Sequence, residues 1–256
     1  MFKSWSTLFL LGLSAGSTVK AAIADWPAAI IGTYNVTFAL VAVPESVAYS
    51  LLPASYAGKI IPPGQDKFPG LEDGQLPIFL ELGREKNAGP PGLNIENFQE
   101  AKIEVPFVKR LDKSEDPFLY KRLIAVDSLI DVIGGAVQFG LNSTLQTFAP
   151  SNSSNSSTFD YSIVNVVDAA LKPTVGAPKW PLETFQEVGG LPWFAEYLLC
   201  AQHFYNWTSS PEVTHLEGSV TLHPPYVPET TTFPAQAVHG VFDFQIKGAL
   251  LCDLFV

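Results

Sequence analysis

Two cysteines, one methionine and four histidines among 256 residues leave little material for metal or thiol chemistry. His203, His215, His223 and His239 show no His-x-His or His-Glu-x-x-His spacing, and no Cys-x-x-Cys occurs. The metal sites that such short spacings build are therefore excluded, and neither a metal nor a cofactor is expected. Basic residues are also few: 15 Lys and Arg stand against 25 Asp and Glu, a formal charge of −10. They form no cluster, so nucleic acid is excluded as a partner, because phosphate binding draws on grouped Lys and Arg. No apolar run reaches the ~20 residues that a membrane-spanning helix needs. Gly-x-Ser-x-Gly is absent from residues 22–256, which removes the nucleophile-elbow hydrolases. There is no P-loop and no Gly-x-Gly-x-x-Gly, so Gly134-Gly135 and Gly189-Gly190 read as turns or close-packed strand ends.

What is present begins with the N-terminus. Lys3, the apolar core Leu8–Leu13 and the small or apolar residues at Val19-Lys20-Ala21 have the layout of a cleaved secretory signal over residues 1–21. Secretion is the expected localisation, and residues 22–256 are expected to form one domain. In an oxidising compartment Cys200 and Cys252 pair most simply as one disulfide. Five Asn-x-Ser/Thr sequons occur. Asn152 and Asn155 lie in a Ser/Asn-rich loop and, with Asn206, are the expected glycan sites. Asn35 sits within an apolar run and is less accessible.

A composition of 47% hydrophobic and 12% aromatic residues supports a sizeable core, while 21 prolines and 19 glycines cut the chain into short pieces. Strand signals recur at Tyr34–Val43, Leu76–Leu82, Ala101–Val108, Phe118–Val126, Gly135–Leu141, Thr158–Leu171, Val213–Leu222 and Val238–Ile246. Pro44 to Pro53 predicts a short amphipathic helix, and Phe185–Cys200 is the other candidate helix. The stretch Gly83–Gly92 reads as a loop. The fold class is mainly β (α+β), a sandwich or barrel with few helices. The notable polar residue is Glu100, beside Phe98 at the edge of an apolar strand. A carboxyl placed so can act as an acid or base.

The order of these segments resembles the acetoacetate decarboxylase superfamily. Val43-Pro44-Glu45-Ser46 with Leu51-Leu52-Pro53, then Phe98-Gln99-Glu100-Ala101, the strand Ile103–Phe107, Phe118-Leu119-Tyr120, Val126-Asp127-Ser128, Gly134-Gly135 and Phe139-Gly140-Leu141 carry the likeness, over Tyr34 to Leu141. It implies a β-cone or barrel around an apolar cavity, with a few short helices. It also implies lysine Schiff-base chemistry on a ketone, the lysine being activated by desolvation and a cationic neighbour. By this likeness the lysine position falls on Asn142, whose amide cannot form an imine. The arginine position falls near Gly32 or Thr33, where no arginine stands. Glu100 matches the active-site glutamate.

The implied pocket is lined by Phe98, Phe107, Phe139, Leu141 and Asn142, the last facing the cavity and bare of glycan. Lys102, Lys109 and Lys121 lie on other segments, and Lys102 beside Glu100 reads as strand-surface decoration. Two functions follow. One is a lyase-type enzyme acting on a small hydrophobic carbonyl compound, with Glu100 as acid/base and no Schiff base. The other is a non-catalytic protein that binds an apolar small molecule.

Overall fold

The computed structural model describes residues 25–93, 96–151, 159–210 and 212–256. Residues 1–21 and the sequons at Asn152 and Asn155 lie outside the described residues.

The first strand, β1 (Ile30–Pro44), is a nearly unbroken apolar run, and Tyr34, Val36, Phe38, Ala39, Leu40 and Val41 are all fully buried. Burial on both faces is what such a run is for. Pro44 then stands at the N-cap of α1 (Glu45–Ser50), where its missing N–H costs nothing. The chain continues through β2 (Gln75–Gly89), β3 (Glu96–Lys109) and β4 (Pro117–Val126). After α2 (Leu129–Phe139) come four short strands: β5 (Ser143–Leu145), β6 (Phe148–Ala149), β7 (Tyr161–Ile163) and β8 (Val167–Pro173). The last part holds α3 (Leu182–Gly189), β9 (Pro192–Phe194), β10 (Leu199–Asn206), β11 (Thr214–Leu222) and the long β12 (Thr231–Leu251).

Seven of these strands close into a barrel in the order β1-β2-β3-β4-β9-β10-β12, with β12 pairing back to β1. At 21 residues β12 is long enough to serve three partners. Its middle pairs with β1, its C-terminal part with β10, and its N-terminal half with β11, which carries β8, β7 and β6 outward. Closure removes the free edges of the barrel strands. The mainly β class with few helices is what the structure has.

One region inside the barrel is an aromatic cluster. Phe38 stacks on Phe79 at 5.7 Å and meets Tyr205 at 5.0 Å and Trp207 at 5.2 Å. Gly189, at the end of α3, packs against Phe79, Tyr205 and Trp207. The disulfide forms between Cys200 and Cys252, tying the start of β10 to the end of the chain across 52 residues. By the chain-entropy model, closing such a loop contributes about 4 kcal/mol. No helix among the described residues is long and apolar enough to cross a membrane.

Two expectations are corrected. Gly83–Gly92 is not a loop, since β2 runs on to Gly89. Gly83 is there for close approach: a Cβ at this position would lie 2.2 Å from the Asn35 carbonyl oxygen on β1. Gly135–Leu141 is not a strand either, since residues to Phe139 belong to α2. Ser128 caps that helix by accepting the Asp131 N–H at 3.4 Å, and Gly140 ends it in the left-handed conformation at φ 67°. These are helix start and stop signals that outweigh a short period-2 pattern.

Candidate functional site

The two-residue period of β3 puts Phe98, Glu100, Lys102 and Glu104 on one face, and that face looks into the barrel. On β2 the same rule aligns Glu81 and Glu85, with Glu81 directly opposite Lys102. On β4 the rule is broken by a bulge. Ile103 pairs with Leu123 but Glu104 pairs with Lys121, so Arg122 is the extra residue. A bulge re-aims the side chains beyond it. Lys121 thereby faces Glu104, on the same side as Ile124 and Val126, although it is an odd number of residues from Ile124.

Phe98, Glu100, Lys102, Glu85, Lys121, Ile124 and Val126 border a pocket of about 240 Å³ between the barrel interior and α2, while Glu81 and Glu104 lie behind it against Lys102 and Lys121. Its apolar wall includes Phe98, Ile124, Val126, Phe139, Leu141 and Ile246. Its polar lining includes Glu85, Glu100, Lys102, Lys121 and His203, with the indole of Trp193 beside them.

The buried charges fall into two linked sets. Lys102, 3% exposed, lies 2.7 Å from Glu81 and 3.9 Å from Glu85, and is in close contact with Glu100. Burial alone would push the Lys102 ammonium down. Glu100, Glu81 and Glu85 outweigh it and hold the group well above the usual lysine value. Burial likewise acts against ionised Glu81, but Lys102 and Lys121 prevail and lower its carboxyl. The Tyr205 hydroxyl also donates to Glu81 at 3.0 Å. Burial, then Glu100, pushes the Glu85 carboxyl well up, and Glu85 shares a hydrogen bond with Glu100.

The second set is Lys121 with Glu104, in close contact, with side chains 1% and 0% exposed. Burial pushes the Glu104 carboxyl up to about 8, against the pull of Lys121 beside it. The Lys121 ammonium nitrogen also lies 4.9 Å from the Trp193 ring centre. A carboxyl that releases its proton near neutral pH beside an amine can pass protons to and from that amine. Lys102, held charged by three carboxylates, is unsuited to act as a nucleophile.

The raised Glu104 carboxyl carries a stability consequence. A carboxyl that keeps its proton to higher pH in the fold than in the unfolded chain favours the fold at low pH. That advantage is lost as pH rises from about 4.5 through about 8. Glu85 acts in the same sense. His203 and His239, pushed down by burial, act in the opposite sense, but only below their unfolded value near 6.5. Between about pH 7 and about pH 9 the melting temperature is therefore expected to fall, and Glu104→Gln to flatten the slope. A wild-type melting temperature that holds or rises across that interval contradicts the assignment.

Of the residues singled out from the sequence, Phe98, Glu100, Phe139 and Leu141 come together on the pocket. Phe107 does not line it. Phe107 is buried against Phe68, with ring centres 5.6 Å apart. Asn142 is not in the pocket either. It is exposed, and its amide donates to the Arg122 carbonyl at 3.4 Å. Its neighbours Leu141 and Ser143 line the pocket, and Asn142 between them points to the other side. Asn206 is exposed at the end of β10, its Oδ1 accepting from the hydroxyl of Thr208 in its own sequon at 2.7 Å.

Lys102 is the reverse case, since it is buried and not strand decoration. Sequence reasoning missed Lys121, Glu104, Glu81, Glu85, His203 and Trp193 as site residues. One signal for the first was present: Lys121 stands within Phe118–Val126, an otherwise apolar strand where a charge needs a buried partner. Among the described residues no group of three or more His, Cys, Asp or Glu is arranged to hold a metal ion.

No protein-family model and no curated protein matches the sequence. Solved structures do match in shape. The enduracididine biosynthesis enzyme MppR, with HEPES buffer bound, aligns over 96% of this chain and 95% of its own, at 13% identity and a TM-score of 0.50. An acetoacetate decarboxylase-like enzyme from Sphingomonas wittichii RW1 aligns over 88% and 93%, at 11% identity and a TM-score of 0.47. Acetoacetate decarboxylase from Legionella pneumophila aligns over 91% and 98%, at 13% identity and a TM-score of 0.42. The chain has the acetoacetate decarboxylase-like fold.

Proposed function

We propose that a chain of this fold, with a buried amine on its pocket and a proton-exchanging carboxyl in contact with that amine, is a lyase-type enzyme acting on a small carbonyl compound through an imine at Lys121. The observation that carries this reading is the Lys121–Glu104 contact at the pocket, beside a carboxyl that titrates near 8. The Lys121 amine attacks the carbonyl carbon. Glu104 delivers the proton with which the carbinolamine oxygen leaves as water. The iminium nitrogen then accepts the electron pair released when the bond from the substrate's α-carbon to a hydroxyl-bearing β-carbon breaks; that hydroxyl returns its proton to Glu104 and its carbon leaves as an aldehyde or ketone. The hydrogen-bonded Glu85 and Glu100 supply the proton that the resulting enamine carbon takes up. Water returns to hydrolyse the imine and free Lys121. Atoms and charges balance without an added oxidant or cofactor.

This replaces the imine-free reaction expected from placing the lysine at Asn142. The amine stands on β4 instead. A purely apolar binder is disfavoured, since burying six ionisable side chains brings it nothing. Borohydride reduction in the presence of acetone should add one isopropyl mass to the protein, at Lys121 by peptide mapping. Modification only at exposed lysines would sink the reading.

We infer further that the protein works in the secretory pathway or outside the cell. The signal-like residues 1–21, the Cys200–Cys252 disulfide and the exposed Asn206 sequon support this. Treatment of the secreted protein with an N-glycosidase, read by mass, tests it at Asn206.

A further inference from the structure

The pocket carries charge and hydrogen-bonding capacity in a combination that bears on what it accepts. Its two cations are both committed. Lys102 answers three carboxylates, and Lys121 lies against Glu104. No arginine lines the pocket among the described residues. Once Lys121 is neutral and poised to attack, the remaining buried carboxylates outweigh Lys102. A substrate carboxylate would then enter a space with no cation free to receive it.

Neutral donors, by contrast, are in surplus. Trp193 Nε1 and both ring nitrogens of His203 are buried without a hydrogen-bond partner among the described residues, on side chains 2% and 3% exposed. Both residues line the pocket. The two rings lie 5.6 Å apart, and the Trp193 ring lies 4.9 Å from the Lys121 ammonium. Burial, then Lys102 and Lys121, pushes the His203 imidazole well down, so at neutral pH it is an uncharged group with one donor and one acceptor. Unpartnered polar atoms are disfavoured inside a protein, and a pocket that holds them is completed by a ligand that pairs them.

We propose that the pocket selects an uncharged carbonyl compound carrying a second oxygen close to the reacting carbonyl, and that the Trp193 indole N–H and the His203 imidazole are the specificity residues that bind this second oxygen. The proposal rests on the imine reading of Lys121 and narrows it to a substrate class of 1,3-dioxygenated neutral compounds, as opposed to keto acids.

Three probes of similar size separate the possibilities: pentane-2,4-dione (neutral, two oxygens), acetoacetate (its carboxylate counterpart) and pentan-2-one (neutral, one oxygen). With wild-type protein, pentane-2,4-dione is expected to form a stable enaminone at Lys121, seen by its near-ultraviolet band and by peptide mass. Acetoacetate should compete poorly. In Lys121→Met protein, where no covalent step is available, ligand-observed NMR should show the dione binding roughly tenfold more tightly than pentan-2-one, the scale of one hydrogen bond. Trp193→Phe and His203→Phe, made in that background, should each erase most of that preference and leave pentan-2-one binding unchanged.

Equal binding of the dione and the ketone, or a preference for acetoacetate, overturns the proposal. Those comparisons need only wild-type and Lys121→Met protein, so misfolding of either aromatic variant would not rescue it. Absence of the enaminone with the dione preference intact overturns the imine reading alone.

Discussion

Lys121→Met protein is expected to fold, to lose borohydride-trapped adducts in the pocket, and to lose turnover by roughly 10⁴-fold, the scale set by removing a nucleophile that forms a covalent intermediate. Folding should survive because the change removes one buried cation from a pair whose partner already titrates near 8. Glu104 can keep its proton once Lys121 is gone, so no unpaired charge is stranded at neutral pH. Near-wild-type turnover in this variant would end the imine reading, whatever the fold. The Lys121→Arg variant separates nucleophilicity from charge: it retains a cation beside Glu104 but should be equally inactive, because a guanidinium does not form the imine.

Lys102→Met is expected to do the opposite, damaging the fold before the chemistry. Lys102 is the common counter-charge of Glu81, Glu85 and Glu100. Breaking a buried pair by removing one partner costs about 3–5 kcal/mol, because the other charge is left uncompensated. At about 2–4 °C per kcal/mol for a domain of this size, the melting temperature should drop by roughly 10 °C. The loss should be smaller in acid, where the stranded carboxyls can take up protons, and larger as pH rises. A melting temperature within a degree or two of wild type at neutral pH would mean that Lys102 does not hold this cluster together.

The contrast between these two lysines shows where sequence reading reaches and where it stops. Period-2 alternation locates β3, β11 and β12, apolar runs rich in β-branched and aromatic residues locate β1 and β4, and the Pro-bounded segment locates α1. These are local signals, because the side-chain period and proline's missing N–H act within a few residues. The same alternation places Phe98, Glu100 and Lys102 on one strand face. It cannot say that this face looks into a closed barrel, and so Lys102 reads as surface when it is buried. The mistake at Asn142 has another root: the family likeness alone set the lysine position there, whereas Asn142 faces out between the pocket-lining Leu141 and Ser143. Reading Gly135–Leu141 as a strand separately ignored the Ser128 cap and Gly140 stop that make it the end of α2.

The sequence by itself determined that this chain is β-rich, able to bury a large core and able to close one disulfide, because composition, alternation and cysteine count are local quantities. Only the tertiary structure decided which charges share an interior. Lys121 meets Glu104 because a single extra residue, Arg122, shifts the β3–β4 register. Trp193 and His203 reach them because β9 and β10 complete the barrel wall. Register and ring closure depend on pairings between residues far apart in the chain, and no window of sequence contains both partners.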